Sequence, residues 1–335
     1  MPSPTRFALG FLLGLGVVLA IFFARFYRQL GVPTETSRWC YEINAKKCLL
    51  AEAIPDHKLL LVGGSSTLFG LSAEQIQTQT GYPTVNLGTH AALGPEYIIH
   101  LAEQVAKPGD TVLISFEYEF YDFPAAVKTK GWNDSLFFDY LFARDPEYLG
   151  SLPLLQRCKF AMLISNQRLE EGLNNRRHPP AHIDTGIYDV KNINAFGDQI
   201  AHPAARRPAS AAYAAQCCVN LAQGLSAQPK GFPTFELFCK RATQNHIRVL
   251  ASFPSICHRP EYDLAPAQQA TQAIRAFFES LGVPVLGEAQ EAMLPSDQFF
   301  DTMYHLTDEG QREHTRRLLV HLAPLLYELD KPAQD

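Results

Sequence analysis

The chain has 335 residues, enough for one large α/β domain or for such a domain with a sizeable insertion, so a substantial core is available. Its 29 Lys and Arg stand against 34 Asp and Glu, a net charge of −5, which supplies no positive field toward phosphates and sets nucleic acid aside as a partner. Seven cysteines (Cys40, Cys48, Cys158, Cys217, Cys218, Cys239, Cys257) are odd in number and irregular in spacing. They make no disulfide framework; a Cys40–Cys48 bridge is open to an oxidising compartment, and buried thiols are expected for most.

Residues Phe7 to Ala24 carry no charged side chain and, as a helix rising about 1.5 Å per residue, nearly cross a hydrocarbon core of about 30 Å. Arg6, Arg25 and Arg28 bracket them. The stretch ends Phe22-Phe23-Ala24-Arg25 rather than in an Ala-x-Ala-like site, which predicts an uncleaved membrane anchor over 7–28. Gly10 and Gly14 have the small-xxx-small spacing that lets membrane helices approach closely. The flanking arginines leave orientation undecided. Residues 29–56 are mixed in character and read as an amphipathic stalk.

Beyond the stalk, Lys58–Val62 and Thr111–Phe116 are short apolar runs of the kind that form buried parallel strands. Between them, Ser72-Ala-Glu-Gln75 has capping-box spacing, Thr84–Leu87 reads as a short strand, and Pro95 opens a helix to about Ala106. Ile247–Ala251 and Val283–Leu286 continue the alternation on either side of a helix over about 267–281. The expected fold is therefore a three-layer α/β/α sandwich with a parallel, flavodoxin-like sheet and ligand sites at the strands' carboxyl ends. Residues 123–240 break the rhythm with aromatics, Pro, Ala and arginines (Arg176, Arg177, Arg206, Arg207), and read as an insertion, either a lid or helical packing.

Two segments carry chemistry. In Leu61-Val-Gly-Gly-Ser-Ser-Thr-Leu-Phe-Gly70 a strand ends in two glycines and a serine before a helix, which exposes Ser65 at a strand's carboxyl end and offers helix N–H groups to an anion. A phosphate-binding turn is the alternative, but neither a P-loop Lys nor Gly-x-Gly-x-x-Gly is present. In Phe299-Phe-Asp-Thr-Met-Tyr-His-Leu-Thr-Asp-Glu-Gly310, Thr307 suits an N-cap, and Asp308 and Glu309 suit the first turn of a helix to about Tyr327. Asp301 and His305 have no such structural use. A histidine in a pre-helix loop with an aspartate to orient it is the base half of a serine triad.

Together the segments resemble the SGNH/GDSL hydrolases, which place their serine in a Gly-Asp-Ser-like turn near the domain start and Asp-x-x-His near its end. The resemblance covers about 57–122 and 245–325 and implies Ser65 as nucleophile, with Ser66 the register alternative, His305 as base, and backbone donation to an oxyanion from Ser65 and Gly88. Asp301 lies four residues before His305 rather than three, so Asp297 is a second candidate for the triad acid. The family's oxyanion asparagine is missing; Ser115-Phe-Glu-Tyr-Glu-Phe-Tyr121 stands in its place. An ionised Glu117 cannot donate there, whereas the Tyr118 phenol can. The anchor, Gly-Gly-Ser, Asn-Leu-Gly, Glu-Tyr-Glu-Phe-Tyr and Tyr-His-Leu-Thr look like a bacterial envelope branch of this superfamily. The layout is also similar to anchored proteins that acylate alginate or transfer D-alanine to teichoic acid.

That similarity implies a serine esterase or O-acyltransferase acting on acyl esters of an envelope glycan from outside the membrane, beside a multispanning acyl-donor partner and without a cofactor. The competing expectation is a non-catalytic carbohydrate-binding or assembly subunit. His178-Pro-Pro-Ala-His182 is the one metal-like spacing, but its prolines prevent a shared helix face and no metal is expected.

Overall fold

The computed structural model describes residues 4–29, 31–32, 34–55, 57–121, 132–179, 186–201, 221 and 233–329. Arg206, Arg207, His182, Cys217 and Cys218 lie outside the described residues. The chain divides into two compact units, Met1–Tyr41 with Gly131–Asp184, and Glu42–Lys130 with Thr185–Asp335.

The smaller unit begins with α1 (Pro4–Arg28), a helix long and apolar enough to cross a membrane, with mean hydropathy 2.6 over its most apolar stretch. Only its C-terminal end is packed. Phe22 and Phe26 join Phe138 and Phe142 of a later helix and Leu169 of another, with the Phe26 and Phe142 rings 4.8 Å apart. α2 (Glu35–Glu52) runs from this unit into the larger one. Its Ser37, Cys40, Asn44, Lys47 and Ala51 are buried at alternating intervals of three and four, the signature of one helix face. Much of the stretch read as an amphipathic stalk is thus a helix with one buried face.

The larger unit holds a five-stranded sheet formed by β1 (Leu59–Val62), β2 (Thr84–Asn86), β3 (Thr111–Ile114), β4 (Arg248–Ser252) and β6 (Val285–Leu286), with β5 (Ile256–Cys257) and β7 (Met293–Leu294) paired separately. Its order is β2-β1-β3-β4-β6 and every pairing is parallel. All four residues of β1 are buried, as a strand covered on both faces requires. Leu61, Leu113 and Leu250 are in lateral register and share a core with Ile76 and with Leu318, Leu322 and Leu326 near the C-terminus. At the amino ends of the strands a buried Lys58–Asp110 ion pair, 2.7 Å, closes the β1/β3 edge away from the site.

Short helices follow the strands: α3 (Ser65–Gly70), α4 (Ala73–Thr80) and α5 (Pro95–Val105). Ser72 Oγ accepts the Gln75 N–H and caps α4, and Pro95 opens α5 as expected. Next come α6 (Trp132–Arg144), α7 (Pro146–Ser151), α8 (Leu154–Leu163) and α9 (Asn166–Arg177) of the smaller unit. The larger unit ends with α10 (Pro233–Gln244), α11 (Ala265–Ser280) and α12 (Asp308–Leu329), which is capped by Thr307 Oγ1 through the Gly310 N–H.

The region read as one insertion divides. Residues 132–179 belong to the smaller unit, whereas 186–201 belong to the larger one. There Asp198 accepts the Ala73 and Glu74 N–H groups and the Ser72 hydroxyl, so it completes the N-terminus of α4. Phe196 O accepts the Asn86 N–H at the outer edge of β2. β3 also stops two residues earlier than expected. Ser115 turns its carbonyl toward the Thr67 hydroxyl, 2.9 Å, and this inward turn brings Glu117 beneath the β1 loop.

Candidate active site

The connection from β1 leads to β2 on one side, and the next leads back across β1 to β3 on the other. The strand order reverses between β1 and β3, where parallel α/β sheets open a crevice at their carboxyl ends. Ser65 is delivered to this point as the first residue of α3. It is partly exposed, while Ser66 is buried at 1% accessibility.

The two glycines before Ser65 are required by close approach. A Cβ on Gly63 would stand 2.3 Å from Ser115 O, and one on Gly64 would stand 2.4 and 2.5 Å from the Glu117 carboxyl oxygens. Glu117 Oε1 accepts the Ser66 N–H at 2.8 Å. Burial pushes this carboxyl above its ordinary range, opposed by the Ser66 hydrogen bond and by nearby His305.

His305 sits on a tight loop before α12. Phe299 and Leu306 form an antiparallel bridge, the Phe300 N–H donates to His305 O, and Thr302 Oγ1 accepts the Tyr304 and His305 N–H groups. This closure turns the four-residue spacing into a contact: His305 Nδ1 and Asp301 Oδ1 are 2.8 Å apart. An Nδ1–H donated to Asp301 leaves Nε2 as the basic nitrogen. Phe69, from α3, holds the imidazole from the side with ring centroids 4.5 Å apart. Tyr188 donates its hydroxyl to Asp301 Oδ2 at 3.1 Å, and Tyr304 donates to Glu119 at 2.6 Å. Asp297 lies in a short 3₁₀ turn ahead of this loop, and Asp301 is the carboxylate on the histidine.

Of the expected oxyanion donors, one has a partner within the chain and one is enclosed without a partner. The Gly88 N–H donates to Asn86 Oδ1 at 2.8 Å, and Gly88 packs so closely on α3 that a Cβ would stand 2.4 Å from Leu68 N. Its carbonyl accepts from the buried Lys47 ammonium, which burial lowers to about 7. Tyr118 is fully buried beside Tyr262, its hydroxyl has no hydrogen-bond partner, and burial raises its phenol. The Ser65 N–H, at the free end of α3, is the remaining backbone donor of the three. No hydrogen bond joins Ser65 Oγ to His305 among the described residues. Such bonds are often loose before substrate binds.

Sequence reasoning missed Asn86, Tyr188 and His90. Asn86 donates to Thr67 O, Leu71 O and Asp198 and so ties β2 to α3; the polar residue inside an otherwise apolar strand was its signal. His90 is held neutral, pushed down to about 4 by burial and by His305. Its Nδ1 accepts the Ala92 N–H, which leaves the ring proton on Nε2. Tyr188 had no signal, because nothing near it in sequence marks its return to Asp301.

Cys40, Cys48, Cys158, Cys239 and Cys257 are free thiols, so Cys40 and Cys48 are not bridged. His178 ends α9 as its C-cap. Among the described residues no group of three His, Cys, Asp or Glu is arranged to hold a metal ion. Compared with known proteins, the chain matches no family model and no curated relative.

Proposed function

We propose that the protein is a serine esterase or O-acyltransferase of SGNH type, built as a three-layer sandwich and anchored in a membrane through α1. The observation that carries this reading is the Asp301–His305 pair, 2.8 Å apart, with Glu117 in electrostatic reach of His305 and hydrogen-bonded at 2.8 Å to Ser66 beside the nucleophile. In the reaction, Ser65 Oγ attacks an acyl carbonyl and gives its proton to His305 Nε2. The ester C–O bond then breaks, and the departing alkoxide takes that proton. Water or a sugar hydroxyl next attacks the acyl-serine, passes its proton through His305 and restores Ser65. The Ser65 N–H faces the oxyanion, and Asp301 orients the imidazole. In hydrolysis the substrate is an acylated envelope glycan or a small ester; in transfer the acceptor is an envelope glycan outside the cytoplasmic membrane and a multispanning partner supplies the acyl group.

Incubation with a fluorophosphonate, and separately with p-nitrophenyl acetate, followed by mass spectrometry tests the reading. A covalent adduct on Ser65 that disappears in a folded Ser65→Ala variant is the expected result. The commitment of the Gly88 N–H to Asn86 favours a second reading, a non-catalytic carbohydrate-binding or assembly subunit. Folded wild-type protein that takes up neither reagent yet retains glycan binding would move the conclusion there.

A further inference from the structure

Beneath the nucleophile turn lies a carboxyl that takes no step in the reaction above. Glu117 is 3% exposed, and a carboxylate so placed needs several hydrogen bonds or a cation to remain charged. Its Oε1 has the Ser66 N–H at 2.8 Å, but Oε2 is buried with no hydrogen-bond partner. The Ser66 hydroxyl is itself buried and meets no partner in strict hydrogen-bond geometry, yet it lies close enough to the same carboxyl to act on its titration. Gly64, immediately before the nucleophile, provides the space: both carboxyl oxygens lie within 2.5 Å of where any other residue would carry its Cβ. The titratable groups facing Glu117 are His305 on the pre-helix loop and Tyr121 on its own segment, with Tyr118 beside Tyr121 and His90 beside His305. None is a permanent cation.

We propose that Glu117 is the positioning residue of the nucleophile turn and works as an uncharged carboxylic acid, Oε1 accepting the Ser66 N–H and Oε2 carrying a proton into the Ser66 hydroxyl. Held this way, the acid fixes the Ser65–Ser66 backbone without placing a negative charge beside the site where the oxyanion forms. Ionised, it would oppose that oxyanion and hold a proton on His305, which must be neutral to accept one from Ser65. The upward displacement of its titration agrees with this state. The inference rests on the esterase or acyltransferase reading for its consequence, but not for the state of the acid itself.

The test uses full-length protein in detergent and compares wild type with Glu117→Gln and Glu117→Ala. Glutamine keeps the acceptor and the neutral charge, so Ser65 labelling at neutral pH should stay within about threefold of wild type, while alanine should lower it by roughly 10–100-fold. Wild-type labelling should fall as pH rises through the Glu117 titration, and the glutamine variant should lack that fall. A merely space-filling side chain would not move this limb. Independently of labelling, infrared difference spectra of wild type against Glu117→Gln at neutral pH should contain a protonated-carboxyl C=O stretch. Its absence overturns the proposal whether or not Ser65 is reactive. Labelling by the folded glutamine variant as low as that of alanine overturns it too. Unlabelled wild-type protein that retains the stretch would instead count against the catalytic reading and leave the neutral acid supported.

Discussion

The contact between Gly64 and Glu117 can be tested by giving Gly64 a side chain. In Gly64→Ala the new methyl would stand 2.4 and 2.5 Å from the two carboxyl oxygens and 2.7 Å from the carboxyl carbon. Ordinary contacts of this kind are nearer 3.4 Å, so the carboxyl must withdraw by up to about an ångström. Its 2.8 Å hydrogen bond with the Ser66 N–H forbids that movement while the bond survives. Overpacking costs about 1–3 kcal/mol and an orphaned buried donor about 1–3 kcal/mol more, so a loss of roughly 2–6 kcal/mol is expected. Denaturant unfolding in detergent measures the loss, and fluorophosphonate labelling should fall with it. The diagnostic step is a double-mutant cycle with Glu117→Ala. Because the shortened side chain removes the obstacle, the double variant should be more stable than the sum of the two singles by about 1–3 kcal/mol. Additive effects, or an unperturbed Gly64→Ala, would refute the packing of Glu117 under the nucleophile turn.

Asp301→Asn should lower Ser65 labelling by about 10²–10⁴-fold with the fold intact, because the amide can present the wrong face to Nδ1 and reverse the tautomer. Tyr188→Phe, which removes a 3.1 Å hydrogen bond to the same aspartate, should cost only about 2–10-fold. Equal effects from the two would mean that Asp301 is not the orienting acid. Lys47 predicts a pH dependence of stability. Its titration falls from 10.5 unfolded to about 7 folded, chiefly by burial against the pull of Asp198, so between those values the unfolded chain holds a proton that the native chain lacks. Stability gained by this group therefore rises with pH across that window, by roughly 3–5 kcal/mol in total. Lys47→Met should abolish the rise; an identical slope in both proteins, followed by denaturant unfolding from pH 7 to 10, would refute a neutral buried Lys47.

Local chemistry in the sequence determined much of the larger unit. Short apolar runs ended by Gly or introduced by Pro-Gly read as buried strands, Ser72 and Thr307 can cap because their hydroxyls reach free helix N–H groups, and α1 is long and apolar by composition alone. Sequence left the partner of His305 open between Asp301 and Asp297, and the loop closed by the Phe299–Leu306 bridge is what brings Asp301 to the ring. What the tertiary structure decided are the contacts between segments distant in sequence. The strand order that sets Ser65 at the β1/β3 reversal, the return of Tyr188 to Asp301, and the capture of the Gly88 N–H by Asn86 leave no periodic or compositional trace. The buried face of α2 carries Ser37, Asn44 and Lys47 rather than leucines, so composition gave no sign of its burial, and only packing brings Lys47 to Gly88 O. The same holds for Glu117. From sequence it is a charged residue in the place of a missing donor, and only the tertiary structure encloses it against Gly64 and Ser66.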